Sequence, residues 1–299
     1  MHLCLWLLLF ASDPAAAKQL LQQGLIALQH GQLAEAQNDL EQAAKVDPQN
    51  PYVWSSLAET YLRLQQRDKA LSAAASAEKL GGDSPVVAHA LGIFYFRYAD
   101  VLLHQEKFTE AADLLTTALN KHPDDAQLTI ALGVARYGQR RFDDAIALFL
   151  KTVTLAPDAP QPYTFLGKML DQAGPRLPEI TADFERWAQA NPGSGSAQLL
   201  LAKALLASDP NNERAGELLH RAVALDPTDW EAHYELGALL EAKHDYKAAA
   251  AELSTAAQLD PKQPAPHYHL ARTYDRLGEP DKAKAERELH ARLTQPSGH

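Results

Sequence analysis

Cysteine is nearly absent from this chain. The single copy, Cys4, lies in a short apolar run near the N-terminus, so neither an intrachain disulfide nor a cysteine-based zinc site can form. Histidine is plentiful, with twelve copies, but no His-Glu-x-x-His helix motif occurs. His267 and His269 are two apart and so point to different faces of a helix, while His233, His244 and His290 are scattered. They are expected at turns and on helix surfaces, with no metal. Gly193-Ser194-Gly195-Ser196 has neither a preceding strand nor a following lysine, so it reads as a turn and not as a phosphate loop. The paired acids Asp124-Asp125 and Asp143-Asp144 sit where helices begin, and there carboxylates cap free N–H groups. No Ser-His-Asp or Cys-His set is suggested. A catalytic centre and a cofactor are therefore not expected.

Positive charge is also in short supply. Lys and Arg number 28 against 38 Asp and Glu, a formal net charge of −10. That balance argues against nucleic acid or an anionic membrane as partner. No apolar run reaches the roughly 20 residues a spanning helix needs, so no transmembrane segment is expected. The apolar run Leu3–Phe10 is followed by Ala15-Ala16-Ala17. It matches the core of a signal peptide with a small-x-small site after Ala17, although only His2, and no Lys or Arg, precedes it. Cys4 precedes the run, whereas a lipidated cysteine would follow it. Export to the periplasm or outside the cell is expected, with a mature start near Lys18. The alternatives are a mis-assigned start, or a cytoplasmic protein whose apolar N-terminus packs on the first repeat.

The chain's length and its 46% hydrophobic content allow a sizeable core. Proline punctuates the chain at Pro48, Pro123, Pro157, Pro192, Pro227 and Pro261, and from Pro123 onward the steps are 34 or 35 residues. Between these prolines, apolar residues and alanines recur at helical spacing. Each proline falls where a helix must stop, because it lacks an N–H and crowds the preceding turn. The repeating unit is helix, short turn, helix, proline-marked turn. Small residues recur at the eighth position: Gly24, Ala58, Gly92, Gly133, Gly167, Ala202, Gly237 and Ala271. A small residue also marks the twentieth position in seven units, from Ala36 and Ala70 to Ala283, with Ile180 the exception.

Trp54, Leu57, Ala58, Tyr61, Ala70 and Ala77 stand at the signature spacing of the tetratricopeptide repeat (TPR) family, which the chain resembles over about residues 18–293. The resemblance implies an all-α fold, an α-solenoid of eight helix-turn-helix TPR repeats winding as a right-handed superhelix. Repeats are expected at 18–50, 51–84, 85–125, 126–159, 160–194, 195–229, 230–263 and 264–293, with 294–299 as a disordered tail. The fifth and sixth repeats each carry one extra residue, near Gly174-Pro175 and Asp209-Pro210. The third repeat carries seven more residues between Gly92 and Ala111, about two helical turns. A continuous helix over about 85–104 is predicted there. An alternative phase, using Tyr98 and Ala99, moves the extension to the start of that helix. Arg287 and His290 replace apolar residues in the last repeat, as a solvent-facing end requires.

The resemblance implies that the first helix of each repeat lines a groove for a peptide or helix of another protein. Family positions carried onto this chain give the candidates Arg63, His89, Ile93, Phe96, Arg97, Val134 and Tyr137, then Lys168, Lys203, Tyr234, Tyr268, Arg272 and Arg276. Leu21, Leu25, Leu28, Glu59, Ile130, Asp171 and Glu231 belong to the same rows. The groove is expected to be apolar at one end and mixed, locally basic, at the other. Leu21 and Leu25 occupy positions where the family's carboxylate clamp for chaperone tails needs Lys and Asn, so that ligand is not expected. The expected role is a non-catalytic scaffold of a bacterial type. The rival readings are an accessory protein of cell-envelope assembly or secretion, and a regulatory subunit of a separate enzyme. TPR-bearing glycosyltransferases keep their chemistry in another domain, for which this chain has no room.

Overall fold

The computed structural model describes residues 14–81 and 83–295. Among them the regular structure is sixteen α-helices and two single 3-10 turns, without a strand. Two compact units divide the chain, residues 1–141 and 142–299. The first holds α1 (Pro14–Gln29), α2 (Leu33–Val46), α3 (Pro51–Arg63), α4 (Arg67–Gly81), α5 (Pro85–His104), α6 (Phe108–Leu119) and α7 (Ala126–Gly138). The second holds α8 (Phe142–Leu155), α9 (Pro160–Gly167), α10 (Leu177–Ala190), α11 (Gly195–Ser208) and α12 (Glu213–Leu225). It continues with α13 (Trp230–Ala242), α14 (Tyr246–Leu259), α15 (Pro264–Leu277) and α16 (Pro280–Thr294). The apolar run Leu3–Phe10 lies outside the described residues. Ala15–Ala17 fall in the first turn of α1, where Ala17 is buried.

The small residues set how closely the helices approach. A Cβ built on Gly24 of α1 would stand 2.6 Å from Leu40 Cγ of α2, and one on Gly237 of α13 would stand 2.6 Å from Leu253 Cγ of α14. Ala58 of α3 and Ala70 of α4 are fully buried. Hydrogen bonds then tie α3, α5, α9 and α13 to what precedes them. The fourth residue of the repeat reaches back to the carbonyl of the turn proline. Trp54 Nε1 donates to Pro48 O at 2.8 Å, Tyr163 Oη to Pro157 O at 2.9 Å, and His233 Nε2 lies 3.2 Å from Pro227 O. A tyrosine of α3 and a tyrosine of α5 each reach the second helix of the repeat before. Tyr61 Oη donates to Glu41 Oε1 at 2.9 Å and Tyr95 Oη to Glu78 Oε1 at 2.8 Å. Burial first, and the Glu41 carboxylate second, push the Tyr61 phenol up to about 12. Asp125, Ser194, Asn212, Asp229 and Asp245 cap helix N-termini with their side chains. Ser194 thus performs an ordinary cap in the Gly-Ser-Gly-Ser turn, and Asp143 and Asp144 sit in the first turn of α8.

α5 is unbroken from Pro85 to His104. The turn joining first to second helix fixes its phase. A residue with positive φ occupies the same place in six turns: Gly31, Gln65, Glu106, Arg140, His244 and Gly278. Where successive repeats carry such a residue the spacing is 34, except that Gln65 and Glu106 are 41 apart; Arg140 and His244 are separated by the fifth and sixth repeats. The seven added residues therefore precede position 92. Ala99, fully buried, stands in front of Ala111 at the spacing that separates Ala58 from Ala70. The extension is the first two turns of α5, about 10 Å of helix. Val87 packs it beside Gly81 and Pro51. By length and composition α5 alone among the described helices could cross a membrane. Here it is a core helix that buries Leu91, Phe94, Tyr95, Tyr98 and Leu102.

The fifth repeat departs from expectation. α9 ends at Gly167, and Leu170–Gln172 and Gly174–Arg176 form 3-10 turns. Pro175 has no N–H to continue an α-helical ladder, and Gly174 turns with φ +49°. The last helix, α16, buries only Ala283 and pairs Arg287 Nη1 with Asp275 Oδ2 at 2.7 Å, a polar end. We expect Gly237→Leu to lower stability by about 1–3 kcal/mol through overpacking against Leu253. Urea unfolding measures this, and parental stability would place the helix contact elsewhere.

Candidate partner-binding faces

In the first unit, α1, α3, α5 and α7 present the candidate side chains. The aromatic crowd of α5 splits between two roles. Phe94, Tyr95 and Tyr98 are buried, with the Phe94 ring 5.2 Å from Tyr95 and 6.2 Å from Tyr98. Phe96 is half-buried and lines a recess of about 580 Å³ between α3 and α5. Ile93 is 37% exposed, and His89 and Tyr137 are exposed, while Ile130 and Val134 are half-buried. Leu25 is exposed; Leu21 and Leu28 are half-buried. Arg97 pairs with Glu59, one repeat back, and Arg63 Nη1 donates to Leu28 O at 3.0 Å. Arg63, Phe96, Arg97 and Glu59 thus meet at one recess, whereas His89, Val134 and Tyr137 lie outside it. Arg67, which the sequence reading passed over because it starts α4, joins the same recess and donates from Nη2 to Gln105 Oε1 at 2.9 Å.

In the second unit, two of the four cations expected at the basic end, Lys203 and Arg272, are paired with carboxylates. Lys203 of α11 pairs with Glu231 of α13 and lies 3.9 Å from Glu235 Oε1. Arg272 Nε lies 3.3 Å from Glu241 Oε1, and its guanidinium stands 5.6 Å from the Tyr268 ring. His269 Nδ1 lies 2.6 Å from Glu241 Oε2, so an imidazole and a guanidinium meet one carboxylate that is only 7% exposed. Tyr234, half-buried, points its hydroxyl to His269 Nε2 at 3.4 Å, and burial raises its phenol pKa. Lys168 caps α9 instead of lying within it, and Asp171 sits in the following 3-10 turn, because that helix stops short. Lys168 and Arg276 are exposed and have no ion-pair partner among the described residues. Tyr268, 48% exposed, is the large apolar surface of this face.

Other histidines pair as well. His233 Nδ1 lies 2.6 Å from Glu252 Oε2 and His267 Nδ1 lies 2.6 Å from Glu286 Oε2. His267 and His269 do point to different sides, one to the second helix of its own repeat and the other to the repeat before. No group of three metal-ligating side chains occurs among the described residues.

The Glu235 carboxyl titrates above the usual glutamate range, first because it is desolvated, then because Glu231 and Asp171 repel its charge; Lys203 opposes this. An acid whose value is raised by folding favours the folded state when protonated. That contribution is present below the ordinary glutamate value and is lost as pH rises through the folded value. Glu235→Gln should therefore stabilise the protein at neutral pH, and the gain should shrink as pH falls toward the ordinary glutamate range. Urea unfolding across that range measures it; a pH-independent loss would contradict the assignment.

Family models described as Tetratricopeptide repeat match residues 27–92, 96–160 and 239–288, together more than half of the chain. The C-terminal part of a TPR repeat-containing protein from Cytophaga hutchinsonii is similar in structure, with TM-score 0.58, 16% identity, 84% of this chain covered and 99% of that one. Yeast Tom70 gives TM-score 0.53 and 17% identity over 95% of this chain and 62% of its own. MamA from Desulfovibrio magneticus RS-1 gives TM-score 0.48 and 23% identity over 57% of this chain and 96% of its own. At these identities the likeness is one of fold. No curated protein sequence matches the chain.

Proposed function

The chain belongs to the tetratricopeptide repeat family, and from that premise we propose that it is a non-catalytic scaffold holding a peptide or helix of a partner protein against its first helices. One observation carries this reading. The first helices turn their small residues inward and leave Ile93, Tyr137 and Tyr268 exposed, with Phe96 and Tyr234 half-buried beside them. Rigid aromatic side chains flanked by fixed ion pairs are the usual anchors of protein interfaces. On the second unit's face Lys203 and Arg272 are already paired, which suits an apolar or mixed segment beside them.

A photo-crosslinking amino acid placed at Phe96 or Tyr268 tests the proposal in lysate of the native host. Controls at Thr117 and Gln258, exposed on second helices, report non-specific encounter. Adducts confined to the first-helix positions are expected. Equal labelling at all four, or labelling only at the controls, would reject the proposed face.

The apolar run at Leu3–Phe10 favours a second, compatible reading, in which the scaffold serves assembly or secretion at a cell envelope after export. The exported chain would then begin at Lys18, just past the first turn of α1. Intact mass decides: material beginning at Lys18 supports export, and a soluble pool retaining Met1–Ala17 contradicts it.

A further inference from the structure

We infer that the recess between α3 and α5 binds an acidic segment of the partner, one in which a carboxylate side chain adjoins an apolar residue; this rests on the scaffold reading above. Three arginines from different elements converge there: Arg63 at the end of α3, Arg67 at the start of α4, and Arg97 in α5. Each is held by a neighbour. Arg63 is anchored on Leu28 O, Arg67 on Gln105 Oε1, and Arg97 on the Glu59 carboxylate. Only the last of these neighbours is charged. The other acid in the wall, Asp100, has its own partner in His104, at 3.3 Å. Among the described residues, Arg63 and Arg67 thus carry positive charge with no carboxylate bound to it, and each keeps further N–H groups for a ligand.

The chemistry of these groups selects the ligand. A guanidinium presents parallel donors that match a carboxylate, and pre-positioned arginines lose little freedom on binding one. Between the arginines, the wall is apolar, made by Leu62, Phe96 and Val101. A lone anion would leave that wall wet, whereas an acidic residue beside an apolar one satisfies both parts. The wall's two acids and the chain's net charge of −10 oppose a polyanion such as nucleic acid. The recess also differs from the family's chaperone-tail clamp, whose positions in the first repeat hold Leu21 and Leu25. The extension of α5 lies before this recess in the helix. The walls come from the later turns, at Phe96 to Gln105, which keep ordinary repeat phase with the turn at Glu106.

The test uses the full chain and fluorescence anisotropy. The probe is a labelled, soluble Ser-Gly peptide with Asp-Leu-Glu-Phe at its centre; the control carries Asn-Leu-Gln-Phe. Tighter binding of the acidic probe is expected, weakening as salt rises. Combined Arg63→Gln and Arg67→Gln should weaken it by roughly tenfold per guanidinium. Lys247→Gln, exposed on the second helix α14 of the other unit, should leave it unchanged. Circular dichroism confirms that the variants fold. Equal binding of the two peptides, insensitivity to the arginine changes, absence of binding, or tighter binding of a single-stranded DNA oligonucleotide would each overturn the inference. If these outcomes appear while crosslinks still map to the first helices, the scaffold reading stands and only the acidic specificity falls.

Discussion

The solenoid rests on close approaches between a small residue on a first helix and a large aliphatic side chain of a neighbour, seen at Gly24, Gly167 and Gly237. Gly237 against Leu253 and Gly24 against Leu40 leave no space for a single added carbon. At Gly167 a built Cβ would lie 2.3 Å from Leu200 Cδ2 of α11, so the constraint also acts between repeats. Packing of this density converts small changes of volume into strain. It also orients the helix. With the small side committed inward, the opposite stripe of each first helix is left for residues that packing does not choose, and those are the candidate binding residues.

Electrostatics separates the two units' faces. In the second unit Lys203 and Arg272 are matched by Glu231, Glu235 and Glu241 from an adjacent repeat. These pairs clamp first helix to first helix. In the first unit, Arg97 is matched by Glu59, but Arg63 and Arg67 are held only by neutral oxygen acceptors. Similar residue types thus fill different roles. Where both partners of an ion pair belong to the chain, the face is rigid and nearly neutral; where the acid is missing, a partner can supply it.

Much of the fold is legible in the sequence because its signals are local. Proline turns, the small eighth residue and the uninterrupted apolar stretch of α5 each lie within one or two turns of what they determine. The phase of the third repeat is not legible in that way. Its evidence is the left-handed turn residue, which is glycine at positions 31 and 278 but Gln65, Glu106, Arg140 and His244 elsewhere, so composition gives no mark. The break after Gly167 was also hidden, since the residues that follow it, Lys168 to Gln172, read as helix until Pro175 removes a donor. The site was half legible. Family spacing found Phe96 and Arg97 on the recess, but their partners and Arg67 come from a neighbouring repeat, and ion pairing between residues 28 to 38 apart is invisible to a helical-period reading.

Hydrogen exchange followed by mass spectrometry on the free, full chain tests the account most directly, because opening should follow nearest-neighbour packing. The account expects α16, which buries one alanine, to exchange fastest in the second unit. Slow exchange is expected in α11 and α13, which are packed on both sides, with opening free energies that rise stepwise from the end. Uniform protection along all these helices, lost in a single cooperative step, would contradict it.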